Sequence, residues 1–385
     1  MRSRTKLDIV TQFAAICLLA ASSAAHAAGQ LIMSVTGPPQ LVVSALRDGC
    51  KLPHGYDMPD MKANAFRRAD GTVVLLSGNH FNMTSTGPSL DAISKRDCTP
   101  VLVSPQDPDP SHQADAEWLN AVEPLPDGTF LGFVHEEFHG FKHNIPGCPV
   151  GRHNGDSCWY ASALLVVSRD GGHTFHNQPP AQGILGTPPQ PFVPGQERQA
   201  LTSPKAVRNP VDGYFYVLLS ATIKSTPVGQ CLVRGRSANA AEWRLWNGHD
   251  FSSPPQNVYA PGAPAYDHPC ATVLPINIFS LKYVTSLKQY VALGQHGGSV
   301  EYYSSPDMIH WSGAQVLLRF NSDKKGGSPV APTSYYSLLG NTSSPSFDDV
   351  GTSAYIYFVR WNQGGGNGAG YDRDLLRMPV RISGG

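Results

Sequence analysis

The stretch from Trp118 to Val134, "WLNAVEPLPDGTFLGFV", places two largely apolar runs on either side of an Asp-Gly turn. Asp127-Gly128 supplies the positive φ angles that a two-residue hairpin loop demands, so the stretch predicts two antiparallel strands. The same arrangement recurs in "NAFRRADGTVVLLSG" at 64–78 and in "SPKAVRNPVDGYFYVLLSA" at 203–221, and looser copies follow at 280–294 and 335–360. The sequence therefore predicts five hairpins.

A second pair of short strands follows most of these hairpins, as in "ALLVVSRDGGHTFHN" and "CLVRGRSANAAEWRLWNG". Five units of four strands, with about 65 to 70 residues in each unit, are typical of a propeller. Beyond the N-terminal segment, no stretch keeps a 3.6-residue apolar period over ten or more positions, which argues against helices. We therefore expect an all-β fold, a five-bladed β-propeller with four-stranded antiparallel blades. A two-sheet sandwich is the alternative, but it does not account for the four-strand grouping.

The N-terminal segment has the pattern of a secretory signal. Three basic residues precede an apolar run that ends in Ala25-His26-Ala27, which predicts a signal peptide over residues 1–27. We expect residues 28–385 to form a single, monomeric propeller domain that is secreted or periplasmic and has no membrane span. The six cysteines after the signal predict three disulfides, with Cys148 and Cys158 as a local pair.

Charge excludes several classes of partner. The 29 Lys and Arg residues balance the 29 Asp and Glu residues, and charged residues make up only 15% of the chain, against about 25% in an ordinary soluble domain. Without a basic excess, neither a nucleic acid nor an anionic membrane surface is the expected partner.

The hairpin quoted first runs directly into His135-Glu136-Glu137-Phe138-His139, the H-E-x-x-H pattern of zinc peptidases. That zinc site needs a helix, whereas this pattern continues a predicted strand and precedes Gly140. In a strand, His135, Glu137 and His139 face one side and Glu136 and Phe138 the other. The sequence thus argues against a zinc peptidase. We expect no cofactor, although a metal held by these histidines in another geometry stays open.

Specific turns carry a resemblance to known propellers. "SRDGGHTF" at 168–175 matches the Asp-box of sialidases and other propellers, in which the Asp caps a turn and the aromatic residue packs between sheets. "SSPDMIHW" at 304–311 resembles a turn of the five-bladed glycoside hydrolases of families 43, 32 and 117. Together with "YDMPDMKANAFRRADGTV", these motifs make the chain resemble a secreted subgroup of those enzymes. A single Asp-box argues against a sialidase.

The resemblance implies a secreted glycoside hydrolase that cleaves a poly- or oligosaccharide by carboxylate acid/base catalysis in the axial funnel. It implies an early Asp as the base, a later Asp that tunes the pKa of the acid, and a third carboxyl group as the acid. We assign these catalytic roles to Asp60, Asp115 and Glu137, with Glu136 and Asp267 as substitutes for the acid. In those families the acid comes from a later blade, around the third, so this chain departs from them if Glu137, at the end of the second hairpin, is the acid.

Neutral and basic groups around the funnel are expected to bind the sugar. The candidate substrate-binding residues are Asp57, His135, Glu136, His139, Asp267, His268, His296 and Arg360. Candidate stacking platforms are Trp159, Tyr336 and Trp361. Asp70, Asp127 and Asp212, by contrast, are expected only to shape their turns.

Two other functions remain open at the level of sequence. One is a non-catalytic carbohydrate-binding propeller, which can rely on aromatic and amide side chains. The other is a polysaccharide lyase with a His or Tyr base, in which Arg360 or Lys205 neutralises a uronate. A hydrolase differs from both because it needs two or three carboxyl groups in the funnel.

Overall fold

The structure is a computed structural model that describes residues 30–53, 55–148, 157–263, 270–319, 333–362 and 371–385. The predicted signal peptide lies outside these residues, as do Asp267 and His268. The α-helices within them are two single turns, α1 (Ala45–Asp48) and α2 (Pro180–Gly183). Neither has the length or apolar character that a membrane crossing requires.

The strands of the first three blades follow in chain order. Before blade one come β1 (Leu31–Val35) and β2 (Gln40–Ser44). Blade one comprises β3 (Asn64–Arg67), β4 (Val73–Leu76), β5 (Thr84–Gly87) and β6 (Lys95–Asp97). Blade two comprises β7 (Ala116–Pro124), β8 (Phe130–His139) and β9 (Trp159–Ser168), with β10 (His176–Asn177) and β11 (Ile184–Gly186) on its edge. Blade three comprises β12 (Gln199–Arg208), β13 (Phe215–Ile223), β14 (Thr226–Gly235), β15 (Arg244–Trp246), β16 (Phe251–Ser253) and β17 (Thr272–Leu274).

The remaining strands form blades four and five. Blade four comprises β18 (Ile278–Val284), β19 (Gln289–His296), β20 (Ser299–Ser305) and β21 (Gln315–Arg319). The last strands are β22 (Thr333–Leu339), β23 (Asp349–Val350), β24 (Ser353–Trp361) and β25 (Arg373–Gly384). Blade five has the order β22-β24-β25-β1, so the first strand of the chain completes the last blade.

The blades form a closed ring around an axis. The first strand of each blade contacts the first strands of its neighbours, in the cycle β3, β7, β12, β18, β22 and back to β3. Within each blade the pairing is antiparallel, while short parallel pairings join β12 to β9 and β18 to β23. The predicted five-bladed β-propeller is therefore confirmed. The predicted regular spacing is wrong, since the first strands begin at residues 64, 116, 199, 278 and 333.

The hairpin turns differ from the predicted loop type. In the turn between β7 and β8, the amide of Leu125 donates to the carbonyl of Thr129 (2.7 Å), which gives a three-residue loop. Only Gly128 of the Asp-Gly pair has a positive φ, 85°. Asp127 instead accepts a hydrogen bond from the Thr129 amide through Oδ1 (2.9 Å), so it shapes the turn as expected. Longer hairpins of this kind need one glycine in the left-handed region rather than two such residues.

The turn at 168–175 is held by its own side chains. Asp170 Oδ1 accepts from the amides of His173 and Thr174, each at 3.0 Å, and from the Ser168 hydroxyl at 2.7 Å. Phe175 is buried and packs edge-on against Phe66 of blade one, with ring centroids 6.0 Å apart. The role of this turn is therefore structural, because it links the outside of blade two to blade one.

Three disulfides are present, as predicted from the even number of cysteines. They join Cys50 to Cys98, Cys148 to Cys158 and Cys231 to Cys270. The local pair Cys148–Cys158 is confirmed, and both cysteines lie between strands β8 and β9 of blade two.

Candidate active site

A cavity of about 360 Å³ opens where the axis meets one end of the ring. Every blade contributes to its lining, which includes Asp60, Glu137, Thr202, Phe279 and Tyr335. This volume lies at the lower end of the range of small-molecule sites, about 300 to 1,000 Å³. The ring therefore brings together side chains that are far apart in the sequence.

The H-E-x-x-H segment forms the last part of strand β8, as predicted, and the zincin geometry is absent. His135 Nε2 lies 2.6 Å from Glu137 Oε1, and His139 Nε2 lies 3.0 Å from Glu137 Oε2. Glu136 and Phe138 are buried on the opposite face of the strand. In the described part of the chain, no three or more His, Cys, Asp and Glu residues are grouped so that they could hold a metal ion.

Hydrogen bonding places a proton between His135 and Glu137. The Thr202 hydroxyl donates to the Ser162 carbonyl at 2.6 Å, so it must accept from His135 Nδ1, which lies 2.7 Å away. His135 Nε2 then meets Glu137 Oε1 at 2.6 Å, and such a contact needs one proton. The pair is thus either an imidazolium beside a carboxylate or a neutral imidazole beside a carboxylic acid.

The electrostatics of Glu137 favour the charged form of this pair. Burial alone would raise the pKa of Glu137, but the charge and hydrogen bonds of His135 and His139 hold it well below its ordinary value. A short hydrogen bond between ionised partners is also among the stronger kinds in proteins.

Asp60 occupies the segment that leads into β3 on another side of the cavity. Its amide donates to the Ser77 carbonyl at 3.2 Å, and its Oδ1 forms an ion pair with Arg373 at the start of β25. The Tyr335 hydroxyl lies 3.4 Å from the same oxygen. Burial raises the pKa of Asp60, and the Arg373 guanidinium opposes that rise.

Bulges in two first strands aim side chains at this segment. The register of β12 shifts between Thr202 and Lys205, and Ser203 there has a φ of 55°. The register of β22 shifts next to Tyr335, whose φ is 58°. Ser203 accepts a hydrogen bond from Lys62, while Tyr335 reaches Asp60. Such strained positions are typical of functional sites.

Asp115 lies behind the cavity rather than in its lining. Its side chain is buried, and Oδ2 accepts from the His139 amide at 3.0 Å. The same oxygen lies 3.1 Å from His143 Nε2 and 3.9 Å from His139 Nδ1. Asp115 therefore fixes the residue that contacts Glu137.

Glu136 belongs to a separate buried group on the far face of β8. It is completely buried, and its Oε2 has no hydrogen-bond partner in the part of the chain that the structure describes. Burial, followed by the charge of Glu117, raises the pKa of Glu136 well above its ordinary value. Glu117 accepts from Asn177 Nδ2 at 2.6 Å, and burial raises its pKa to about 8. The structure gives Glu136 no access to the cavity.

Four other predicted binding residues also lie outside the cavity lining, among them His139, which contacts Glu137 from behind it. Asp57 is buried in an ion pair with Arg96, and it also accepts from the Cys50 amide at 2.9 Å. The side chain of His296 is 72% exposed, at the end of β19. Arg360 forms an ion pair with Asp374 at 2.6 Å. The last three side chains hold blades and loops together or face solvent, so they leave the candidate set.

The aromatic predictions divide in the same way. Trp159 lines the cavity together with Trp118, which sequence reasoning missed, and the Nε1 of Trp118 is buried with no hydrogen-bond partner among the described residues. Tyr336 is completely buried within blade five, and Trp361 packs against Arg373. Two indole rings therefore border the cavity, and such rings are the usual stacking partners of a sugar.

Lys62 and Arg373 are the other polar residues that sequence reasoning missed. Lys62 lies two positions after Asp60, and in an extended segment such residues share a face, so that signal was present. Arg373 gave no local signal, because 313 residues separate it from Asp60.

The fold and the cavity define a five-bladed propeller with two carboxyl groups and two indoles at its axial mouth. Comparison with known proteins finds no matching family model and no match among curated proteins. Among solved structures, the GH62 α-L-arabinofuranosidase catalytic domain of Coprinopsis cinerea is 9% identical, with a TM-score of 0.48 over 92% of this chain and 98% of that one. A Cellvibrio cellulosa α-L-arabinanase is 10% identical, with a TM-score of 0.46 over 85% and 96%. An N-acetylgalactosamine deacetylase from F. plautii is 12% identical, with a TM-score of 0.45 over 92% and 96%. These likenesses are too distant to say what this chain does.

Proposed function

We propose that this chain is a glycoside hydrolase whose catalytic carboxyl groups are Asp60 and Glu137. The observation that carries the proposal is that both carboxyls line one sugar-sized cavity, each held by its own cationic partners. Two carboxyl groups in different environments are what glycoside hydrolysis requires. The indoles of Trp118 and Trp159 supply faces on which a sugar ring stacks.

Glu137 supplies the acid in this proposal by relaying the proton that it shares with His135, since the carboxylate is its favoured form. That proton passes from the pair to the glycosidic oxygen as the bond to the leaving sugar breaks, so that the leaving group departs as an alcohol. Thr202 keeps the His135 ring oriented, since it accepts from Nδ1. Asp115 holds the amide of His139, and His139 in turn contacts the second oxygen of Glu137.

Asp60 supplies the base: its carboxylate takes a proton from the water whose oxygen bonds to the anomeric carbon, so that the sugar is released with a new hydroxyl group. Arg373 and Tyr335 fix the orientation of Asp60, and the raised pKa makes its carboxylate a better proton acceptor at a given pH.

The three disulfides support an exported protein, because such bonds persist in oxidising compartments. Export is therefore part of the proposal.

The test is product release from a panel of plant, algal and bacterial polysaccharides by the mature protein and its variants. Asp60→Asn and Glu137→Gln should each lower the rate by about 100-fold or more. Asp127→Asn, in a hairpin turn, is the matched control and should keep its activity. Equal rates for all four proteins would overturn the assignment.

Two product patterns would replace the hydrolase by another function. Unsaturated uronate ends on the products would identify elimination and hence a lyase. Binding of glycans by every variant, without cleavage, would identify a carbohydrate-binding propeller.

A further inference from the structure

One buried lysine borders the cavity and a second contacts its lining, and the proposed chemistry uses neither. Lys62 lines the cavity, although the residue as a whole is only 6% exposed. Its Nζ donates to Ser203 Oγ at 2.9 Å, and within the described ranges no carboxylate contacts it. Lys205 does not line the cavity, but its Nζ donates to two residues that do, to Ser220 Oγ at 2.6 Å and to Gln230 Oε1 at 2.9 Å. Both lysines thus bond to neutral oxygens.

The carboxylates of the cavity do not balance these lysines. Asp60 already pairs with Arg373, and Glu137 already lies between His135 and His139. Holding an ammonium group away from water without a counter-ion is costly. Burial accordingly lowers the pKa of Lys62 to about 7. An anion that enters the cavity would provide the counter-charge that the chain itself does not.

The wall beside Lys62 carries a second cation. Arg198 lines the same cavity, and its guanidinium carbon lies 4.9 Å from the ring centroid of Trp159. The Nε of Arg198 is buried, and no described residue is its hydrogen-bond partner. An ammonium and a guanidinium donor therefore border the space that an indole offers to a sugar ring.

We propose that this cavity binds a sugar that bears an oxyanion, a uronate carboxylate or a sulfate ester, and that Lys62 binds this oxyanion with Arg198 as a second donor. The inference rests on the proposed function, because it names the substrate class of the same site. It places the anion on the blade-three side of the cavity, where Ser203 and Arg198 lie, and leaves Asp60 and Glu137 to the glycosidic bond.

The experiment measures binding of matched oligosaccharides by calorimetry. The probes are galacturonate and glucuronate trisaccharides with their methyl esters, and a sulfated galactan trisaccharide with its desulfated form. The proteins are the wild type, Lys62→Met and, as the control, Lys95→Met, which removes an exposed lysine of β6. We expect charged probes to bind about 10- to 100-fold more tightly than their neutral forms, the range for a hydrogen bond to a charged group. Lys62→Met should remove that difference, and Lys95→Met should keep it.

The two sources of the oxyanion are separated by which matched pair shows the difference. Equal binding of charged and neutral probes, or an unchanged difference in Lys62→Met, would overturn the inference. If neutral glycans were then still cleaved in a way that depends on Asp60 and Glu137, the proposed hydrolase function would be supported although the oxyanion site would not. If charged probes bound preferentially but nothing was cleaved, the oxyanion site would be supported and the hydrolase function would not. Lys62→Met removes a buried charge, so the melting temperature of this variant should not fall. If it does fall, the binding experiment is carried out with Lys62→Gln instead.

Discussion

The two faces of β8 treat neighbouring carboxyl groups in opposite ways. On the cavity face, Glu137 lies between two imidazoles, and its pKa is held well below the ordinary value. On the buried face, Glu136 lies near Glu117, and the pKa values of both are raised. One peptide unit separates the two environments.

The difference shows what makes a carboxyl usable for catalysis. Burial acts on both glutamates, so burial does not distinguish them. The neighbours do: cationic partners keep Glu137 charged and able to exchange a proton with His135, whereas carboxyl neighbours keep Glu136 protonated. The alternation of a strand turns a single step along the chain into a change of chemistry.

The strongest way to break this comparison is to neutralise the cavity face. Glu137→Gln should reduce the rate of glycan cleavage by about 100- to 10,000-fold, since it removes the proton donor. The side chain keeps its size but loses its charge contacts with His135 and His139, so the melting temperature should fall at neutral pH. Steady-state kinetics on a cleaved polysaccharide check the first point, and thermal unfolding checks the second. A variant as active as the wild type would contradict the role of Glu137.

The pH profile sharpens the comparison at the level of protons. Activity should fall at acid pH as the Asp60 base becomes protonated, and this fall should begin at a higher pH than for an ordinary aspartate, because burial raises the pKa of Asp60. Thr202→Val removes the hydrogen-bond acceptor of His135 Nδ1, so the ring that contacts Glu137 loses its orientation. Steady-state kinetics should show a kcat about 10-fold lower.

The control for this change is Thr84→Val. It makes the same substitution at a buried hydroxyl of β5 that has no hydrogen-bond partner among the described residues. Its kcat should match that of the wild type. If Thr202→Val kept the wild-type kcat, the hydrogen bond through Thr202 would not orient the catalytic pair.

The buried face should reveal itself in stability rather than in activity. Unfolding returns Glu117 to an ordinary glutamate pKa, while the folded chain keeps its proton until a pH of about 8. Raising the pH across that interval therefore favours the unfolded chain. Glu117→Gln should remove this effect, so its melting temperature should fall less between pH 5 and pH 8, by roughly 2 °C or more. Glu197→Gln, at an exposed carboxyl, should keep the wild-type dependence, and identical curves for all three proteins would contradict the argument.

The smallest expected effect comes from Glu136→Gln. A protonated glutamate and a glutamine have nearly the same shape and polarity, so cleavage should stay within about 2-fold of the wild type. The assay is the one used for Glu137→Gln, which makes adjacent substitutions each other's control. A loss of activity comparable to that of Glu137→Gln would mean that the two faces of β8 are not independent.

Local patterns in the sequence were sufficient for the fold and for part of the site. The Asp-Gly hairpins predicted the paired strands, and period-two alternation placed His135, Glu137 and His139 on one face. Irregular spacing was not predictable, because the long connections in blades two and three follow no repeat. The pairing of β1 with blade five was also not predictable, because the sequence of a single edge strand does not show which strand it pairs with.

The missed residues were those whose partners are remote in sequence. Asp57 resembled Asp60 in sequence, and only the position of Arg96 makes one structural and leaves the other in the cavity. Arg373 reaches Asp60 only through ring closure. The role of a carboxyl group depends on its neighbours in space, and the amino-acid sequence alone does not show which residues these are.

The closing strand has a consequence for when this protein becomes competent. One end of β25 pairs with β1, where Leu31 lies opposite Gly384, and the other end delivers Arg373 to Asp60. Strand β1 therefore has no partner until β25 has been synthesised. Contacts of such long range form late and slowly. A chain without β25 would lack both the partner of β1 and the guanidinium beside Asp60, so the cavity reaches its described arrangement only when the whole ring has formed.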